Sequence, residues 1–577
     1  MIELLALFFM FFLPGYLILG NRFSDDERFA LSFLFSVFVY AAFAFLLHLS
    51  KIFISYALIA LPIILITFRK KLTFNLSKTA LAIFFATLFA GFVVQSFSET
   101  LSADGYDHYL YARSFLSQHW ASHNFIDNYW IPVTFPQPAD YRPPLYNLTL
   151  GFIFSIFGDS LASGKLLSVL IVAFVSVILY LNTKDMFDEK TAIYATLSLV
   201  TLNSVILHFC FETLVYPLIL YSGLCIFHVY RKGIPFWKYS SLTFGLAYLI
   251  HSSLIIFMLS LVAFDFFKAK NLSVIYLKNI LLRREVVYSS LVFLFVISPW
   301  LARNLMFFGD PLYTSSKYTP LLTDWEEHFS LEKPTLSTYL SFITSPRNFI
   351  STKLGSILKS TAPTIYSMTF NKWDLFAWAD PVALKYTLAG ILTYPLLLVC
   401  VYVLFKNRGE KIPSVFWLSL FLSLILWGFR CSFAWSSLLT PTILLGTLGI
   451  YKIRSRGYVI ALILIVSILQ LIALIAIQSD KRIDDNFYGW IVENTDTNDI
   501  LMSRDAVSIT YFTNRKTMTT PYADTDDIIE IIRKYDVSYL MVSKNDLIRR
   551  DLNFTKLDSA FKLEKKDKDY SIYKTRT

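Results

Sequence analysis

The stretch ADGYDHYLYARSFLSQH, residues 103–119, holds two carboxylates and two histidines in a chain that is only 16% charged. If 104–116 is helical, Asp104, Asp107, His108 and Tyr111 fall at i, i+3, i+4 and i+7, on one face. A carboxylate on such a face can take the proton of a hydroxyl nucleophile, and a pair can hold a divalent cation. The opposite face carries Tyr106, Tyr109, Leu110 and Phe115, side chains suited to rest on a membrane or a helix bundle. The same spacing also describes a surface helix whose charges merely face water.

Further ionisable residues punctuate apolar runs. Glu212 follows His208 in HFCFETLVYP, and His251 interrupts LAYLI-HSSLIIF. Arg303 stands in SPWLARNLMFFGDPLY, Arg430 in LWGFRCSFAW, and Arg142 before the paired prolines of YRPPLY. Carboxylates and cations at one rim of a bundle would grip an anionic phosphate and activate an acceptor. Such residues near membrane depth carry a functional reading by default, although long side chains at helix ends also reach for water on their own account.

The elements that must hold these residues are hydrophobic helices. The chain of 577 residues is 55% hydrophobic with mean hydropathy +0.53, against 45–50% apolar and a quarter charged in soluble domains. Apolar runs near 2–20, 29–49, 52–68, 79–97, 161–181, 190–208, 213–230, 237–250, 252–268, 286–303, 383–405, 413–429, 434–451 and 457–478 predict about fourteen membrane-spanning helices. The fold class is therefore a polytopic α-helical membrane protein. The net charge of +10 needs no nucleic acid, because Lys and Arg gather in cytoplasmic loops. If 69–78 (RKKLTFNLSK) is cytoplasmic, alternation also places the basic segments 231–238, 268–284, 406–411 and 452–456 inside. It leaves 98–160, 304–382 and the tail outside. Cys210, Cys225, Cys400 and Cys431 have no metal or disulfide spacing and read as buried small hydrophobes.

The expected organisation is a four-helix membrane segment (1–97), an external loop with the acidic motif and juxtamembrane helices (98–160), membrane helices (161–303), a second external loop (304–382), C-terminal membrane helices (383–478) and a small extracytoplasmic α/β domain (479–577). In the tail, strand-like ILMS, ITYFTN and VSYLMVS alternate with the helix-like DTDDIIEIIRKYD. Residues 145–157 are apolar but too short to span and suit a helix lying along the membrane surface.

Three motifs resemble the GT-C membrane glycosyltransferases. DGYDHYLYAR resembles the D-x-x-x-[NH]-Y pattern of oligosaccharyltransferase catalytic subunits and the D-E-x-x-Y-x-x-x-A pattern of aminoarabinose and mannosyl transferases. YRPPLYNLTLGFIFSIFG is similar to their PPL-Y…FG juxtamembrane segment, and SPWLARNLMFFGDPLY to their PW-x-x-RN-x-x-x-FG-x-P signature. Three departures stand beside these. About three extra helices precede the acidic loop, Gly105 replaces the usual Glu, and no WWDYG segment is present.

The resemblance implies a sugar donor on a polyprenyl (dolichyl or undecaprenyl) phosphate, a glycan, lipid or protein hydroxyl as acceptor, and a site on the outer face of the cell membrane. Asp104 matches the family's catalytic aspartate, with Asp107 beside it, and inversion follows from single displacement. His108, Tyr111, Arg142, Glu212, His251, Arg303 and Arg430 are the expected donor- or acceptor-binding residues. No metal is required by a lipid monophosphate donor. With a pyrophosphate donor, Asp104, Asp107 and Glu212 could hold Mg²⁺ or Mn²⁺. The alternative from another class is a multi-pass transporter or lipid-linked-sugar flippase, which would place its ionisable residues at the bilayer midplane and often carry internal repeats.

Overall fold

Two units, each gathered from three stretches of chain, make up the computed structural model: residues 1–100, 142–312 and 354–481 in a helical unit, and 101–141, 313–353 and 482–577 in an α/β unit. The structure describes residues 10–575 apart from 50–74, 98–99, 102, 118–121, 140–141, 204–205, 208–209, 211–214, 269–282, 315–317, 319–328, 338–402, 404–405, 407–408, 428–430, most of 454–484, 544–551 and 567–569. In chain order the helical unit opens with α1 (Leu13–Leu19), α2 (Asp25–Leu49) and α3 (Lys78–Gln95). The α/β unit then contributes α4 (Ala103–Leu116) and the short strands β1 (Ser122–His123), β2 (Phe125–Ile126) and β3 (Gln137–Pro138). The helical unit resumes with α5 (Leu145–Phe157), α6 (Leu161–Met186), α7 (Glu189–Thr196), α8 (Tyr216–Arg231), α9 (Trp237–Ile250), α10 (Leu254–Lys268), α11 (Arg284–Phe308), α12 (Lys411–Trp427) and α13 (Cys431–Ile453). The rest is α14 (Asp485–Asn494), β4 (Ile500–Ser503), α15 (Ala506–Thr513), β5 (Lys516–Thr519), α16 (Thr525–Lys534), β6 (Tyr539–Ser543), α17 (Phe554–Ala560), β7 (Lys562–Lys566) and β8 (Tyr570–Lys574).

Among the described residues three helices, α3, α6 and α11, are long and apolar enough to cross a membrane. Much of the expected span list falls outside the described residues or on shorter helices. Side-chain caps start the helices at Ser77, Ser160 and Asp188, whose oxygens accept from Ala80, Ser163 and Thr191 N–H. α6 is buried along most of its length, whereas α3 and α11 turn Phe89 and Phe295 outward, 70% and 74% exposed. A helix apolar on its outer side is satisfied only by hydrocarbon. α5 is the short apolar helix expected at 145–157. Residues 145–154 are all buried: most are apolar, and the Thr149 hydroxyl is satisfied within the helix by donating to Leu145 O.

One end of the helical unit is tied by polar contacts between segments far apart in sequence. Asn75 and Ser77 N–H donate to Asp25 and Asp26 at 2.8 Å, and Thr79 donates to Glu189. His228 Nε2 lies 3.0 Å from Glu27, which also pairs with Lys232. Phe187 stacks on Tyr451 at 4.4 Å, Lys452 pairs with Glu410, and Lys411 with Asp265. Burial pushes the Glu27 carboxyl up, but hydrogen bonds from His228 and Lys232 outweigh it and hold it at about 2. The described residues in or beside all five basic segments thus gather at one end.

In the α/β unit the sheet order is β2-β5-β4-β6-β8-β7, with the first four strands parallel and β8 antiparallel to both its neighbours, β6 and β7. α16 and α17 pack on one face through Ile528, Ile531, Ile532 and Leu557, and α14 and α15 on the other through Phe487, Ile491 and Ile509. Strand β2, from the acidic loop, extends the parallel edge by pairing Phe125 and Ile126 with Thr517 and Met518. Residues 329–330 join too: Tyr522 N–H donates to Phe329 O at 3.0 Å, and Trp130 Nε1–H to Ser330 O. Sequence reading draws 479–577 as a domain by itself; the folded unit is completed by 101–141 and 313–353.

Candidate active site

The acidic motif is helical, as its spacing predicts, and Asp104 lies in the first turn of α4. The side chains do not share one open face. Asp104 is exposed, whereas Asp107, His108 and Tyr111 are 1%, 2% and 0% exposed. The reason is that α4 is covered on two sides. Tyr106 packs on Tyr511 and Phe512 at 4.8 and 5.1 Å, and Tyr109 on Tyr511 at 5.7 Å. On another side Tyr111 meets His123 edge-on at 4.7 Å, and Ser114 Oγ accepts from Ser122 N–H. The aromatic face expected to rest on a membrane or bundle therefore rests on α15 of its own α/β unit.

Arg142, His251 and Arg303 belong to the helical unit. Arg142 precedes α5, and its guanidinium acts on both His251 and the buried Tyr146. His251 occupies the turn between α9 and α10, where Ser253 N–H donates to Nδ1 at 3.3 Å and the Ser253 hydroxyl lies 2.7 Å from the same atom. Nδ1 therefore accepts, and the imidazole proton is on Nε2. Burial, with the Arg142 charge adding to it, pushes His251 down to about 4, so at neutral pH it offers a hydrogen bond and no charge.

Arg303 is 8% exposed near the end of α11, its guanidinium over Trp300 at 4.7 Å and Nη1 donating to Asn304. α9 and α11 run parallel in a fixed register: Trp237 stacks on Tyr288, and Gly245 meets Val296 so closely that an added Cβ would lie 2.7 Å from the valine Cβ. Carried on at about 1.5 Å per residue, that register brings His251 and Arg303 to the same level. The α9–α11 pairing thus gathers cation and imidazole at one rim. Glu212 and Arg430 lie outside the described residues. Among the described residues the three-donor group with metal-like spacing is Glu27, Asp185 and His228, where Lys232 already pairs with Glu27.

Residues that sequence reasoning missed are Tyr511, Arg113 and Ser253. Arg113 Nη1 donates to Tyr511 O at 3.3 Å, and its guanidinium sits 4.3 Å over the Tyr511 ring. An aromatic pair in ITYFTN, nearly 400 residues from the motif, carries no local signal of that partnership.

Residues 141–302, which include Arg142 and His251, match the family described as dolichyl-phosphate-mannose-protein mannosyltransferase. Among solved structures, the archaeal oligosaccharyltransferase AglB from Archaeoglobus fulgidus, in complex with an inhibitory peptide and a dolichol-phosphate, aligns with TM-score 0.53 and 12% identity. That alignment covers 84% of this chain and 72% of AglB. ArnT from Cupriavidus metallidurans in the apo state aligns with TM-score 0.46 and 11% identity, over 86% of this chain and 98% of ArnT. No curated protein sequence matches the chain. The AglB likeness shows the fold, and within residues 141–302 the chain is similar to the mannosyltransferase family.

Proposed function

We propose that the chain transfers a sugar from a polyprenyl-phosphate carrier to a hydroxyl acceptor on the outer face of the cell membrane, with inversion at the anomeric carbon and Asp104 as general base. The observation that carries this reading is the match of residues 141–302 to a dolichyl-phosphate-mannose mannosyltransferase family, on a chain with the GT-C fold. Asp104 suits the role because it is the exposed carboxylate of the acidic motif, open to an acceptor hydroxyl, whereas Asp107 is buried.

The chemistry asks little else of the protein. The acceptor oxygen forms a bond to the anomeric carbon as the bond from that carbon to the phosphate oxygen breaks, and the hydroxyl proton passes to the Asp104 carboxylate. The lipid phosphate leaves with the bonding electrons and gains negative charge. Arg142 and Arg303 would stabilise that charge, and His251 Nε2–H would donate to a phosphate oxygen. A monophosphate carrier needs no metal. A pyrophosphate carrier would be served by Mg²⁺ or Mn²⁺ on the carboxylates of the acidic motif. The acceptor is a glycan, a lipid or a protein hydroxyl. The five basic segments gathered at one end of the helical unit support an orientation with that end in the cytoplasm.

The test is transfer from labelled polyprenyl-phosphate sugars in membranes carrying wild-type chain or Asp104→Asn, at matched expression. Loss of transfer on the order of 10²-fold or more, with donor binding retained, is expected. Full activity of Asp104→Asn would remove the base assignment. Inertness of the wild type toward every donor would remove the transferase reading. Product of retained configuration would exclude single displacement, and loss of transfer in EDTA would make the site metal-dependent.

A further inference from the structure

We infer that the C-terminal α/β segment positions the helix bearing Asp104, and that Tyr511, clamped by Arg113, is the positioning residue; the inference rests on the glycosyl-transfer reading above. α4 is fixed from both directions within its own unit. Tyr511 on α15 receives Tyr106 and Tyr109 against its ring, and the Arg113 guanidinium lies over the same ring. Arg113 also donates to the Tyr511 carbonyl, so one residue is held through both its side chain and its backbone. Phe512 adds a contact to Tyr106 and is itself backed by Tyr488 of α14 at 4.4 Å. Downstream of α4, the chain is locked to the same segment by β2: Thr517 N–H donates to Asn124 O, and Phe125 and Ile126 pair with Thr517 and Met518. Tyr129 Oη then donates to Thr519 O.

Asp104 lies two residues before Tyr106 on the same helix. The orientation of its carboxylate follows the rotation and tilt of α4, which the Tyr511 ring sets. Rates are steep in such geometry, since a displacement of about 1 Å costs on the order of 10²-fold. Tyr511 touches no reacting atom in this account. Its effect passes through α4, and it belongs to turnover and not to capture of the lipid donor. Tyr511 and Arg113 are both half-buried, and neither belongs to the sheet's hydrophobic clusters, so replacing them leaves the core packing intact.

The experiment uses the full chain in lipid nanodiscs, with a polyprenyl-phosphate sugar as the probe. Tyr511→Ala and Arg113→Ala are expected to lower kcat about tenfold while the donor KM stays within about twofold. Tyr511→Phe, which keeps the ring, is expected to retain wild-type kcat. Hydrogen exchange over residues 103–116 should quicken in Tyr511→Ala. Wild-type kcat in both alanine variants would overturn the inference, as would a loss confined to donor KM, or a Tyr511→Phe as slow as the alanine. A wild-type chain that transfers nothing would refute the transferase reading instead. The exchange measurement then decides the docking by itself: faster exchange in Tyr511→Ala upholds it, and unchanged exchange overturns it.

Discussion

His251 illustrates how one side chain's surroundings redefine its chemistry. A histidine beside an arginine looks like a second cation, but burial and the Arg142 charge both disfavour its protonated form. Transfer should therefore show no step near pH 6.5 that His251→Gln removes. His251→Gln, which retains an N–H donor, should keep most activity, whereas His251→Ala should lose on the order of 10²-fold, as measured by kcat at saturating donor. The same depressed pKa has a stability consequence. The unfolded imidazole takes up a proton below about 6.5, while the folded one waits until about 4. The stability His251 contributes is complete above the upper value and is lost as pH falls between the two. Thermal melting of wild type against His251→Gln across that window measures it.

Pairs of helices and strands do what single residues cannot. Gly245 lets α9 approach α11 at Val296, and this contact levels the His251 turn with Arg303. Gly245→Val would force the helices apart or drive side chains off their rotamers, a cost of about 1–3 kcal/mol. The expected outcome is a lower melting temperature together with a raised donor KM, since imidazole and guanidinium would no longer stand level. A melting temperature equal to wild type would show that α9 and α11 do not meet there. At the other end, the acidic first turn of α2 receives the starts of α3 and the end of α8 through Asp25, Asp26 and Glu27. Carboxylates favour the N-terminal turn of a helix, so these residues serve both their own helix and its neighbours.

At the scale of the whole molecule, the α/β unit is built from three widely separated stretches, and the acidic loop supplies its β2 edge. Removing residues 482–577 should therefore do more than delete an appendage. It strips α4 of α15 and leaves β2 without β5. Truncation at 481 is expected to abolish transfer while membrane insertion persists, checked by alkaline extraction of membranes and by the transfer assay. Robust transfer by the truncated chain would mean that α4 holds its geometry without α15.

Hydrophobic runs, basic loop segments, a helical acidic motif and most of the strand–helix alternation of the tail were legible in the sequence, because each depends on neighbours within a few residues or on the energy of leaving water. ITYFTN, whose alternation reads as a strand, falls instead at the end of helix α15. The GT-C resemblance was legible too, since its three motifs are local strings. What the string could not convey was which surface each amphipathic helix meets. Tyr106 and Tyr109 look equally at home on lipid or on Tyr511, because both surfaces are apolar and periodicity records only polarity. The burial of Asp107 beside an exposed Asp104, the neutral state of His251 and the shared α/β sheet depend on contacts between residues a hundred or more positions apart. Tertiary structure alone decided those, because burial and charge–charge interaction act through space and leave no periodic trace along the chain.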